Sequence, residues 1–143
     1  MKFKKIFLID DSEIDNYVNK HIITKSGIAE MILTMTSAED ALQYLIASSE
    51  TNIPFPELIF LDIRMPAMNG FEFLDVFEKF PSQILSACKI IMLTSSLDQR
   101  DIERAKNYPH VAGYLNKPLN TDSLNNVLVP IHIFPLQEFR KMA

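Results

Sequence analysis

Five short apolar runs punctuate the chain: KIFLID at 5–10, MILTM at 31–35, ELIFLD at 57–62, KIIML at 89–93 and VAGYL at 111–115. Each is too short for a buried helix and suits a strand. The segments between them have another rhythm. In 12–26, Ile14, Tyr17, Val18, His21 and Ile22 recur at intervals of three and four, with Ser12 placed to cap a helix. In 37–48, Ala38, Ala41, Leu42, Leu45 and Ile46 do the same behind Ser37. Phe71, Leu74, Val76 and Phe77 follow Gly70. Residues 98–106 are the most polar and turn Ile102 and Ala105 inward, and 121–129 carry Leu124, Val127 and Leu128.

Strand followed by helix, five times, predicts an α/β fold: a parallel sheet with helices on both faces. The flavodoxin-like (βα)5 doubly wound sheet, strand order 2-1-3-4-5, is one common arrangement of five such units, and its ligands bind beyond the carboxyl ends of the strands. Two connections, 48–56 and 80–87, read as long loops, with Pro81 ending the third helix. Asn69 or Gly70 is expected to accept a positive φ before that helix. His21 is expected among the packing residues of the first helix, and Cys88 beside the fourth strand.

A chain of 143 residues suits one domain with a single core. Its formal charge of −4 disfavours a nucleic-acid surface, which calls for a basic face. The single cysteine, Cys88, excludes an internal disulfide and a CxxC metal knuckle. No apolar run approaches the roughly 20 residues that span a bilayer. The start, MKFKKIFLIDD, has too short an apolar stretch for a signal peptide. The expectation is a soluble, cytoplasmic protein with neither a nucleic-acid nor a membrane partner.

The strand ends hold the chemistry. The first run ends in Asp10 and Asp11, the third in Asp62, the fourth in Thr94 and Ser95, and the fifth is followed by Lys117. Parallel strands bring these ends to one edge. Taken singly, Asp10 or Asp11 is a helix cap, Thr94 a strand-end hydroxyl and Lys117 a surface lysine. Together, three carboxylates repel and raise one another's pKa values until a divalent cation relieves them. Oxygen ligands with room for water suit Mg²⁺ or Mn²⁺. With an ammonium and a hydroxyl beside them, these groups suit a phosphoryl group, with a carboxylate as nucleophile.

These motifs, namely LIDDSEIDN, LIFLDIRMPAMNGFEFL, IIMLTSS and GYLNKPL, resemble those of the receiver domain of two-component response regulators over roughly residues 4–129. The resemblance implies Asp62 as phosphoacceptor. Asp10, Asp11, Asp62 and the backbone carbonyl of Arg64 would bind the metal. Thr94 and Lys117 would contact the phosphoryl group, and Thr94 with Tyr114 would form the switch. The peptide before Pro118 would be cis. A sensor histidine kinase or histidine phosphotransfer protein would donate the phosphoryl group, and a downstream protein target would read the switched conformation. The domain would not be an enzyme in the ordinary sense, although it would catalyse its own phosphorylation and slow dephosphorylation.

Residues 1–129 are thus expected to form the receiver and 130–143 a tail with no separate output domain. Pro130 and Pro135 interrupt that tail, so the last helix should end or kink near Leu128. Its apolar residues would cover the face made by the fourth helix, fifth strand and fifth helix, through which the resemblance also allows a homodimer. Two other functions fit parts of the pattern. A Mg²⁺-dependent phosphatase with an aspartyl-phosphate intermediate would place its nucleophile in a DxD motif after the first strand, where this chain has Asp10-Asp11-Ser12. A degenerate receiver acting only by protein binding would not need the intact set Asp10, Asp11, Asp62, Thr94 and Lys117.

Overall fold

From Leu58 to Asp62 the third apolar run is buried at every position, because it is the central strand of the sheet. In the computed structural model, which describes residues 3–95 and 98–128, the elements follow in the order β1 (Phe3–Ile9), α1 (Glu13–Ser26), β2 (Ala29–Met35), α2 (Ala38–Glu50), β3 (Leu58–Asp62), α3 (Gly70–Phe77), α4 (Ser82–Leu85), β4 (Lys89–Thr94), α5 (Gln99–Ala105), β5 (Val111–Asn116) and α6 (Thr121–Leu128). The five strands are all parallel in the order β2-β1-β3-β4-β5. The expectations for residues 129–143, including the interruption at Pro130 and the apolar tail, lie outside the described residues.

The sheet separates two cores. Phe7, Ile9, Ile59, Leu61, Ile90 and Met92 point to one side, where α2, α3 and Ala105 of α5 cover them. Ile6, Leu8, Leu58, Phe60, Ile91 and Leu93 point to the other, under Ile23 of α1 and Leu124 and Leu128 of α6. Period-two alternation in the inner strands feeds both cores, so both strand faces must be apolar. Ser12 Oγ and Ser37 Oγ cap α1 and α2 by accepting from the Asp15 and Asp40 backbone amides, each at 3.2 Å.

Helix α1 sits the other way round from its apolar pattern. Ile14 and Tyr17 are each 75% exposed, Val18 and His21 are exposed too, and the buried positions are Asn16, Asn19 and Ile23. The two asparagines face inward because their amides serve backbone groups of the site. Residues 80–87 are not wholly irregular: Pro81 precedes the short α4, whose Leu85 is buried. Its fixed φ suits the start of a helix as well as it stops the one before.

The loop between β3 and α3 also differs from expectation. Asn69 has φ −84° and caps α3, with a reciprocal bond from its own amide to Glu72. The positive φ falls instead on Ala67, at 65°. Gly70 serves space: a Cβ there would stand 2.6 Å from the Asp62 carbonyl oxygen and 3.0 Å from Ile63 Cα.

Candidate functional site

The site is assembled at the carboxyl edge by backbone bonds that leave little slack. The Asp10 amide donates to the Met35 carbonyl at 3.1 Å, fixing the residue after β1 against the end of β2. The Ile63 amide donates to Leu93, and the Gly70 amide to Ile63 at 2.9 Å, which folds the β3–α3 loop back over the strand end. The Lys117 amide donates to the Thr94 carbonyl at 2.8 Å, and the Lys117–Pro118 peptide is cis.

Helix α1 supplies the remaining clamps. Asn16 Nδ2 donates to the carbonyls of Asp10 at 3.0 Å and Met35 at 3.1 Å. Asn19 Oδ1 accepts from the Leu119 amide at 3.0 Å. The apolar repeat of α1 pointed away from these residues. Two asparagines three apart on its other face were the signal that could have found them.

Asp10, Asp11 and Asp62 converge, with one carboxylate oxygen of each within 4.8 Å of the others. Asp10 and Asp62 are buried, and Asp11 is exposed. Asp10 is engaged by the protein on both oxygens: Oδ1 accepts from the Ser12 amide at 2.9 Å and Oδ2 from Lys117 Nζ at 2.8 Å. Lys117 Nζ also donates to Asp15 Oδ2 at 2.9 Å and stands 3.6 Å from Asp62 Oδ1. Asp15 had no assigned role in the sequence pattern.

Burial pushes the Asp62 carboxyl up to about 7, and the neighbouring Asp10 charge pushes the same way. Lys117 and a hydrogen bond from the Arg64 amide oppose them. Burial alone would lower Lys117, but its bonds to Asp10 and Asp15 and the charge of Asp62 outweigh this and hold the ammonium above its usual range. Three crowded carboxyl groups offering hard oxygen donors fit a divalent cation such as Mg²⁺ or Mn²⁺.

Thr94 is buried at the end of β4, against the same edge. Tyr114 is half-buried and packs on the core beneath α2 and α3. The Arg64 side chain points away from the carboxylates: its guanidinium pairs with Asp101 of α5 at 2.7 Å and is 66% exposed. This pair closes one side of a groove of about 410 Å³ that Phe71 and Arg104 also line.

Residues 6–129 match the family described as the response regulator receiver domain. The chain belongs to that family. Among curated relatives of this receiver domain, the response regulator Rcp1 of Synechocystis is 28% identical over 94% of this chain and 90% of its own length. A probable methanogenesis regulatory protein, FilR2 of Methanothrix harundinacea, is 28% identical over 88% of this chain and 79% of its own. Among solved structures, a two-component response regulator from Cytophaga hutchinsonii superposes with a TM-score of 0.84 at 33% identity, covering 92% of this receiver and 98% of that chain. The chemotaxis response regulator CheY4 of Vibrio cholerae, at 24% identity and a TM-score of 0.70, covers 91% of this chain and 99% of its own and shares the fold. The acidic triad fits the metal site of a receiver, and receivers generally work with histidine kinases. Among the described residues, no helix is long and apolar enough to cross a membrane.

Proposed function

We propose that this receiver accepts a phosphoryl group on Asp62 from a phosphohistidine of a partner protein and responds by shifting between two conformations. The observation that carries the reading is the convergence of Asp10, Asp11 and Asp62 within 4.8 Å at the edge where Lys117 Nζ lies 3.6 Å from Asp62. An Asp62 oxygen attacks phosphorus, the bond from phosphorus to the imidazole nitrogen breaks, and its electron pair stays on the imidazole. Lys117 offers positive charge to the phosphoryl oxygens, and Thr94 offers a hydroxyl to another. Mg²⁺ or Mn²⁺, held by Asp11, Asp62, the Arg64 carbonyl and the Asp10 side of the pocket, supplies charge neutralisation when bound. Water later attacks the same phosphorus and returns Asp62 to a carboxylate, with release of inorganic phosphate.

Thr94 and Tyr114 are the switch pair in this reading, and a downstream protein reads the shifted surface around α5, β5 and α6. A second copy docked on that surface is an alternative use of the same face. Residues 1–129 act as the receiver domain and 130–143 as its tail. The test is intact mass after incubation with Mg²⁺ and acetyl phosphate. Wild type should gain one phosphoryl group, and Asp62→Asn or chelation of the metal should prevent it. Labelling that persists in Asp62→Asn would refute the assignment.

A further inference from the structure

Lys117 is shared unequally. Its ammonium donates to Asp10 Oδ2 at 2.8 Å and Asp15 Oδ2 at 2.9 Å, while the nearest oxygen of Asp62 is 3.6 Å away, beyond a good hydrogen bond. The lysine side chain is only 10% exposed, so its acceptors rather than water decide where it rests. The two acceptors differ. Asp10 is 1% exposed and is also tied to the Ser12 amide, so losing the lysine would leave a buried charge poorly compensated. Asp15, on the first turn of α1, is 40% exposed and can return to water at little cost.

We propose that Asp15 is a positioning residue that holds Lys117 on the α1 side of the pocket, so that a phosphoryl group on Asp62 must draw the lysine away from Asp15. The inference rests on the reading of Asp62 as phosphoacceptor. A phosphoryl group has more negative charge and more acceptor oxygens than the carboxylate it replaces. Of the lysine's two present partners, Asp15 is the one that gives way. Its release also unties the first turn of α1 from the segment after β5.

The test uses beryllium fluoride as the phosphoryl mimic, at saturating Mg²⁺, on the full chain. Calorimetry compares wild type with Asp15→Asn and Asp15→Glu. The Lys117 side-chain resonance is followed in ¹³C,¹⁵N-lysine-labelled protein with and without metal and mimic. Removing the competing carboxylate should tighten the mimic by up to about fivefold, as expected for a partly exposed ion pair. Asp15→Glu, which keeps the charge, should bind closer to wild type. In metal-free protein the Lys117 resonance should differ between wild type and Asp15→Asn, and the mimic should bring the two together. Equal affinities, weaker binding in Asp15→Asn, or a Lys117 resonance indifferent to the substitution would each overturn the positioning role while leaving the phosphoacceptor reading intact. Failure of wild type to bind the mimic would overturn that reading and this inference with it.

Discussion

Asn19 Oδ1 accepts the Leu119 backbone amide at 3.0 Å across 100 positions of sequence, and this bond pins the segment that carries Lys117 to helix α1. Asn19→Ala leaves that buried amide without its acceptor. Stability should fall by about 1–3 kcal/mol, the usual cost of an unsatisfied buried donor. Urea unfolding measures the loss. Phosphoryl uptake from acetyl phosphate should slow as well, since the lysine loses its anchor. A stability change within a few tenths of wild type would show that the segment is held by its other contacts.

Gly70→Ala sets a Cβ 2.6 Å from the Asp62 carbonyl oxygen, against backbone that cannot rotate away. A cost of about 1–3 kcal/mol is expected, as for other overpacked positions, together with slower phosphoryl uptake from acetyl phosphate as Asp62 is displaced. Gly113→Ala is the control. Its Cβ meets Val127 Cγ2 at 2.5 Å, the end of a side chain, so α6 can adjust and the uptake rate should change less. Thermal melts and phosphorylation rates of the two variants rank the effects.

The Asp62 carboxyl, pushed up to about 7 from 3.8 by burial and by Asp10, makes metal-free stability depend on pH. Between those values the folded protein holds a proton that the unfolded chain has released. Stability therefore falls as pH rises from about 4 to 7. Asp62→Asn removes this contribution. The difference in urea midpoint between variant and wild type, in the presence of chelator, should grow in favour of the variant across that window. Parallel pH curves for the two proteins would count against the buried, proton-holding state.

Arg64→Ala removes an ion pair with Asp101 whose guanidinium is largely exposed. Such pairs contribute about 0–1 kcal/mol, so the melting temperature should hardly move. The side chain nevertheless bridges the loop after Asp62 to α5, so its loss frees that loop two residues from Asp62. The phosphoryl lifetime should change by more than the stability does. Dephosphorylation followed by intact mass decides, and identical decay in both proteins would reduce the pair to surface decoration.

Much of this was legible in the sequence, for a physical reason. Strands buried on both faces are continuous apolar runs, so β1, β3 and β4 announce themselves, and parallel pairing then fixes where Asp10, Asp62, Thr94 and Lys117 meet. Caps were legible too, because Ser12 and Ser37 stand where unpaired amides need an acceptor. Helix α1 misled because amphipathic periodicity assumes that the apolar stripe is the buried one. There, bonds to the Asp10 carbonyl and the Leu119 amide outweigh the burial of Ile14 and Tyr17. Asp15 escaped notice because its partner is a side chain from the far end of the chain. Gly70 was assigned to backbone freedom, when the close approach of the Asp62 carbonyl was what excluded a side chain.

The clamp between Asn19 and Leu119 also orders events during synthesis. A ribosome making this chain delivers Asp10, Asp11 and Asp62 long before Lys117, and Asn19 of α1 must wait for Leu119 before its Oδ1 has this donor. Contacts so distant in sequence close late, after local helices and neighbouring strands have formed. A nascent chain stopped before β5 would present three crowded carboxylates with no ammonium beside them. On the proposed reading of Asp62, competence for phosphotransfer therefore arrives only with β5, Lys117 and α6.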